Sequence, residues 1–152
     1  MKSIENYSLN IFLTDDDLDD CMFFSDALNE INKDFVLTIT NDGVELMQTL
    51  GVKVPPPPYV IFLDLNMPKK NGFECLQEIR KSTRLKNIPI VVLSTSSNKD
   101  FVEQSYNFGA NYYICKPKSF NLLKKAIEMI LSLDTILLNT QPTKDKFVSI
   151  TN

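Results

Sequence analysis

Val60-Ile61-Phe62-Leu63-Asp64-Leu65-Asn66-Met67-Pro68, followed by Lys69-Lys70-Asn71-Gly72, decides the fold. Four apolar residues run without a break into one carboxylate. Such a run reads as a strand buried on both faces, as in a parallel sheet. Asp64 stands where that strand should end, and open α/β sheets bind ligands at the carboxyl ends of their strands. Pro68 and the Asn71-Gly72 pair then turn the chain. A rigid strand thus presents one carboxylate before a shaped loop. Read alone, the same residue serves equally well as a turn cap.

Outward from this run the pattern repeats. Leu9 to Thr14 is a first apolar strand ending in Asp15, Asp16 and Asp17. Asp17 suits a helix N-cap, and Cys21, Phe24, Leu28 and Ile31 follow at helical spacing. Phe35 to Ile39 is rich in β-formers, and Asn41-Asp42-Gly43 turns into a short helix through Val44, Met47 and Leu50, closed by Gly51. Pro55 to Pro58 predicts a polyproline-II connector into Tyr59. Past the central run, Phe73, Leu76 and Ile79 mark a helix, and Ile88 to Leu93 a fourth strand ending in Ser94. A helix with Phe101, Val102 and Tyr106, capped by Ser97 or Asn98, stops at Gly109. Asn111 to Cys115 is a fifth strand, ended by Lys116-Pro117, and a last helix spans Ser119 to Leu138. Five β-α repeats with short connections predict an α/β fold, a doubly wound, flavodoxin-like (βα)5 with a five-stranded parallel sheet of order 2-1-3-4-5. Residues 1–138 form the expected domain, and 139–152 a polar C-terminal tail without an output domain.

Composition narrows the function. The 152 residues carry net charge -3, which disfavours a nucleic-acid binder. No apolar stretch approaches a membrane span, and the N-terminus is no signal peptide. Cys21, Cys75 and Cys115 are odd in number and widely spaced, which points to reduced thiols and a cytoplasmic chain. His is absent, which excludes a His-based triad, a His metal ligand and a phosphohistidine on this chain.

Asp15, Asp16, Asp64, Asn66, Ser94 and Lys116 all fall at or just beyond strand C-termini. In the order 2-1-3-4-5 the first and third strands are neighbours, so Asp15, Asp16 and Asp64 meet. Carboxylates so close repel unless a cation compensates them, and hard oxygen ligands suit Mg²⁺. Helix capping explains Asp17 but does not require three acids.

These features together resemble the response-regulator receiver domain of two-component signalling, in its stand-alone, chemotaxis-type form. The acidic pair, Asp64-x-Asn66-Met67-Pro68-x-x-Asn71-Gly72, a hydroxyl after the fourth strand and Lys-Pro after the fifth occur in that family's order over residues 8–138. The resemblance implies Asp64 as phosphoacceptor, loaded from a phosphohistidine on a separate sensor kinase or phosphotransfer protein. It implies Asp16 as direct Mg²⁺ ligand, Asp15 acting mainly through metal-bound water, and Asn66 giving its backbone carbonyl. Ser94 and Lys116 would bind the phosphoryl oxygens, Tyr113 would act with Ser94 as the conformational switch, and Lys116-Pro117 would match a cis peptide bond. Thr95 follows the switch hydroxyl where the family often has a smaller residue. The expected product is a signalling phosphoacceptor, not a turnover enzyme. Its fourth helix, fifth strand and fifth helix would form a face for a downstream protein or a homodimer. Two rivals stand beside this. A haloacid-dehalogenase-like phosphatase also uses a strand-end Asp, but needs a second Asp where Asn66 stands. A pseudo-receiver that only binds partners would not need the full acid, hydroxyl and lysine set.

Overall fold

The computed structural model describes residues 9–31, 34–53 and 57–149. Strand β1 (Leu9–Thr14) leads to α1 (Leu18–Ile31), β2 (Phe35–Thr40) to α2 (Gly43–Lys53), and β3 (Val60–Leu63) to α3 (Gly72–Lys81). Then come β4 (Ile90–Ser94), α4 (Lys99–Asn107), β5 (Tyr112–Cys115) and α5 (Phe120–Ser132). Two short helices, α6 (Thr135–Leu138) and α7 (Lys144–Phe147), precede strand β6 (Val148–Ser149). Every pairing is parallel and the strand order is 2-1-3-4-5-6. The expected five-stranded order is present, with a sixth strand added beside β5.

Because side chains alternate along a strand, the sheet makes two cores. Phe12, Ile61, Leu63, Ile90, Val92 and Tyr113 face α2, α3 and α4. Ile11, Leu13, Val60, Phe62, Val91 and Ile114 face α1 and α5. All four residues of β3 are completely buried, as the continuous apolar run requires of a central strand. Each such side chain contributes about 1.5–3 kcal/mol of apolar burial.

Two local expectations are corrected. Helix α2 does not end at Gly51 but runs to Lys53. A Cβ at Gly51 would meet nothing within 4 Å, so this glycine is not shaped to stop the helix. Its core face is Leu46 and Leu50, both at 0% exposure, while Val44 is exposed. The last helix is not continuous from Ser119 to Leu138. Leu133 is extended (φ -68°, ψ 139°), and the Asp134 carboxylate starts α6 by accepting from the Leu137 amide at 2.8 Å. Within the polar C-terminal tail, Phe147 is 1% exposed and joins the core on the α4 side. Of the proline run, Pro55 and Pro56 lie outside the described residues, as does Ile150 of the tail.

Cys21 and Cys75 are buried and Cys115 half-buried, all as free thiols. Burial pushes the Cys21 thiol up to about 11 and that of Cys75 to about 12, which leaves both protonated and unreactive. No described helix is long and apolar enough to cross a membrane.

Candidate functional site

The sheet ladders continue one residue past the strands and fix the backbone of each site residue. The Asp15 amide donates to the Thr40 carbonyl at 3.0 Å, that of Asp64 to Thr14 at 3.0 Å, and that of Lys116 to Ser94 at 2.7 Å. With Thr14 opposite Leu63, the acids that follow β1 and β3 emerge side by side. The loop after Asp64 closes through a capping box. Asn71 Oδ1 accepts from the Glu74 amide and Glu74 Oε1 from the Asn71 amide, both at 2.9 Å. Lys69 takes a left-handed conformation (φ 69°) to complete the turn. Gly72 lies so close to the end of β3 that a Cβ would come 2.2 Å from the Asp64 carbonyl oxygen.

Asp15, Asp16 and Asp64 each offer a carboxylate oxygen, all within 4.8 Å of one another. Asp15 is 1% and Asp64 7% exposed, whereas Asp16 is exposed. Burial is the main force on the Asp64 carboxyl and raises its pKa to about 7. The Asp15 and Asp16 charges push the same way, while Lys116 and the Leu65 amide, which donates to Asp64 Oδ1 at 2.8 Å, oppose them. Burial also raises Asp15, against the hydrogen bond from Lys116. The Lys116 ammonium would be lowered by burial alone, but its bonds to Asp15 and Asp20 outweigh that and raise it.

Lys116 Nζ lies 2.6 Å from Asp15 Oδ2, 2.8 Å from Asp20 Oδ2 and 3.8 Å from Asp64 Oδ2. One ammonium thus gathers three carboxylates. Asp20 is the residue that sequence reasoning passed over. It sits in the first turn of α1, where its amide caps onto Asp17 Oδ1 at 3.1 Å, and the acidity there reads as helix capping. Its partner stands 96 positions away, beyond the reach of any local pattern.

The remaining expected residues are placed as follows. Ser94 ends β4 fully buried, its Oγ accepting from the Ser96 amide at 3.2 Å. Tyr113 is fully buried, and its hydroxyl donates to the Ser96 carbonyl at 2.6 Å. Asn66 has an exposed side chain in the loop beyond Asp64, and Thr95 is exposed beside Ser94. Asp16 makes no hydrogen bond or ion pair among the described residues, which leaves its oxygens available. The donor set consists of hard oxygens with neither His nor thiolate, so it fits Mg²⁺ or Mn²⁺ rather than zinc.

Comparison with known proteins agrees with this geometry. The response regulator receiver domain model matches residues 11–128. The response regulator Rcp1 of Synechocystis is 37% identical over 134 residues, covering 86% of this chain and 89% of that protein. The crystal structure of the phosphorylated cyanobacterial phytochrome response regulator RcpA superposes with a TM-score of 0.76 at 37% identity, over 82% of this chain and 95% of that one. The Mn²⁺-bound form of Rcp1 gives a TM-score of 0.74 at 36% identity, over 89% and 99%.

Proposed function

The chain belongs to the response regulator receiver family, and from that premise we propose that Asp64 accepts a phosphoryl group from a phosphohistidine on a separate sensor kinase or phosphotransfer protein. The observation that carries this reading is the meeting of Asp15, Asp16 and Asp64 at the C-terminal ends of β1 and β3, with the Lys116 ammonium beside Asp15 and Asp64. An Asp64 oxygen attacks phosphorus in line, the P–N bond breaks, and the donor imidazole leaves and takes a proton. Asp16, Asp64 and the Asn66 backbone carbonyl would hold Mg²⁺ directly and Asp15 mainly through water, and the ion would supply positive charge that keeps Asp64 ionised and balances the phosphoryl oxygens. Lys116 turns from Asp15 toward the phosphoryl group, and the Ser94 hydroxyl donates to another of its oxygens. Asp20 stays as the counter-charge that Lys116 keeps when Asp15 serves the metal.

The chain then acts as a cytoplasmic relay that stores the group as an aspartyl phosphate. It passes the signal by contact, through α4, β5 and α5, to a downstream protein or a second copy. Ser94 drawn toward Asp64 repositions the loop to which Tyr113 is bonded, which biases that face between two conformations. The phosphatase reading gains nothing from the structure, since Asn66 occupies the position of the second acid. Labelled phosphoryl from a phosphohistidine donor in trans should reach this chain with Mg²⁺ and not with a chelator. Transfer that ignores the chelator, or no transfer from any such donor, would defeat the reading. Isothermal titration should find Mg²⁺ binding weakened more by Asp16→Ala than by Asp15→Ala. Asp16 is exposed and uncommitted, while Asp15 already holds Lys116 and the Asp17 amide. Unchanged affinity in Asp16→Ala would remove it from the metal site.

A further inference from the structure

The C-terminal segment packs on α4, β5 and the connection between them. Phe147 meets Tyr106 edge-on, with ring centroids 5.0 Å apart, and Tyr113 at 6.2 Å. Val148 pairs with Tyr113 and Ser149 with Ile114, in parallel. Gln141 Nε2 donates to the Tyr106 carbonyl at 2.7 Å and to that of Ala110 at 2.8 Å. The Tyr106 hydroxyl donates to the Pro142 carbonyl at 2.8 Å. Lys144 pairs with Glu103 and lies 5.7 Å from the centre of the Tyr106 ring. The segment therefore covers the α4–β5 edge. Met129 of α5 stays 41% and Ile136 of α6 78% exposed.

The end of this cover, residues 144–149, has one buried anchor. A two-residue strand is too short to be stable by itself. The Lys144–Glu103 pair is more than half exposed on both sides, and such pairs contribute little. A cleft lined by Val102, Tyr106, Cys115 and Phe147 remains open beside β6. The hydrogen bonds of Gln141 and Pro142 hold the start of the segment; its end is held by the buried Phe147 ring, which rests on Tyr113 of the proposed switch. Ser94 Oγ accepts from the Ser96 amide, the Ser96 carbonyl accepts from the Tyr113 hydroxyl, and the Tyr113 ring meets Phe147. A pull on Ser94 toward Asp64 moves the acceptor that fixes Tyr113, and so moves the surface under Phe147. This is an unbroken set of contacts from Ser94 to Phe147, the residue that precedes the sixth strand.

We propose that residues 141–149 are the resident occupant of a strand-addition site on β5, and that the output partner is an extended segment of another protein that replaces them. The segment itself shows what the site takes: a parallel strand on β5, one aromatic ring between Tyr106 and Tyr113, and a lysine three residues earlier for Glu103. Phosphorylation loosens the resident segment and admits the partner. The inference rests on the proposed phosphoacceptor role and names the regulation and partner class of its output face.

The test uses the full-length chain and a fluorescein-labelled synthetic peptide of residues 140–149, read by anisotropy with and without beryllofluoride and Mg²⁺. Phe147→Ala should bind the peptide at least about tenfold more tightly than wild type, a difference of about 1.4 kcal/mol. Beryllofluoride should bring wild type close to the variant, and a peptide with Ala in place of its Phe should bind neither. Equal binding by wild type and variant, or none by the variant, overturns the site. Because Phe147→Ala also removes a core ring, hydrogen exchange on wild type gives a second measure. Beryllofluoride should lower amide protection across 144–149 while 60–63 stay protected. Unchanged protection, with fluorine NMR showing beryllofluoride bound, overturns the release and leaves the phosphoacceptor reading intact. Absence of a bound fluorine signal overturns the phosphoacceptor reading instead, and the peptide arm then decides the strand site alone. A dimer by light scattering that Phe147→Ala abolishes would assign the site to a second copy and overturn the hetero-partner.

Discussion

Asp64→Asn should stabilise the metal-free chain by a few kcal/mol at about pH 8 and change it little at about pH 4. Asp64 is 7% exposed, and burial raises its pKa from 3.8 to about 7. A carboxyl raised in the folded state binds its proton more tightly there than in the unfolded chain. Its contribution is fully present below the ordinary value of 3.8 and is lost as pH rises through about 7. Each pH unit across that window is worth about 1.4 kcal/mol. Asn keeps the oxygen that accepts from the Leu65 amide but never ionises. Urea unfolding of both chains against pH measures the gap. Asp15, raised in the same direction, adds to the fall of wild-type stability over this window and survives in the variant. Saturating Mg²⁺ should narrow the gap at high pH, because the cation compensates the charge that the mutation removes. A gap that stays constant with pH would show that Asp64 is not held against ionisation.

Gly72→Ala should destabilise the chain by about 3 kcal/mol, since overpacking a tight backbone contact costs that much or more. The added Cβ would meet the Asp64 carbonyl oxygen at 2.2 Å, the Leu65 Cα at 2.8 Å and the Asp64 carbonyl carbon at 3.0 Å. All three are backbone atoms, so no side chain can swing away. Relief requires α3 or the Asp64 loop to shift, and the Asp64 carboxylate moves with it. Gly51→Ala is the control, because it adds a methyl to open space inside α2. It should stabilise by about 0.5–1 kcal/mol. Chemical denaturation midpoints of the two variants should move in opposite directions. A shift of the same sign in both would remove the packing argument for Gly72.

The Asp64 run was legible because a central parallel strand needs apolar residues on both faces, and only such a strand shows an unbroken run. The site followed from that strand and from the order 2-1-3-4-5. Asp15, Asp16, Asp64 and Lys116 meet because each stands one or two residues past a strand end. Local signals failed where stability comes from contacts distant in sequence. Gly51 resembles a helix stop, but nothing forces the chain to turn there. Asp134 does carry a helix-start signal, which the continuous apolar pattern from Leu122 to Leu138 masked. Phe147 is a single aromatic in a polar stretch, and two residues of strand show no periodicity. Its burial depends on Tyr106 and Tyr113, which no nearby residue announces. Arg80 is a further case. A charged side chain ordinarily reads as surface, yet here it donates to the carbonyls of Gly109, Lys86 and Ile88 and to Asn111 Oδ1. It ties α3 to the connections around β4 and β5.

The phosphoacceptor assignment is tested most directly by intact mass after incubation with acetyl phosphate and Mg²⁺. Wild type should gain the mass of one phosphoryl group per chain, lose it under chelation before mixing, and show no adduct as Asp64→Asn. An adduct of equal yield in Asp64→Asn would contradict the account.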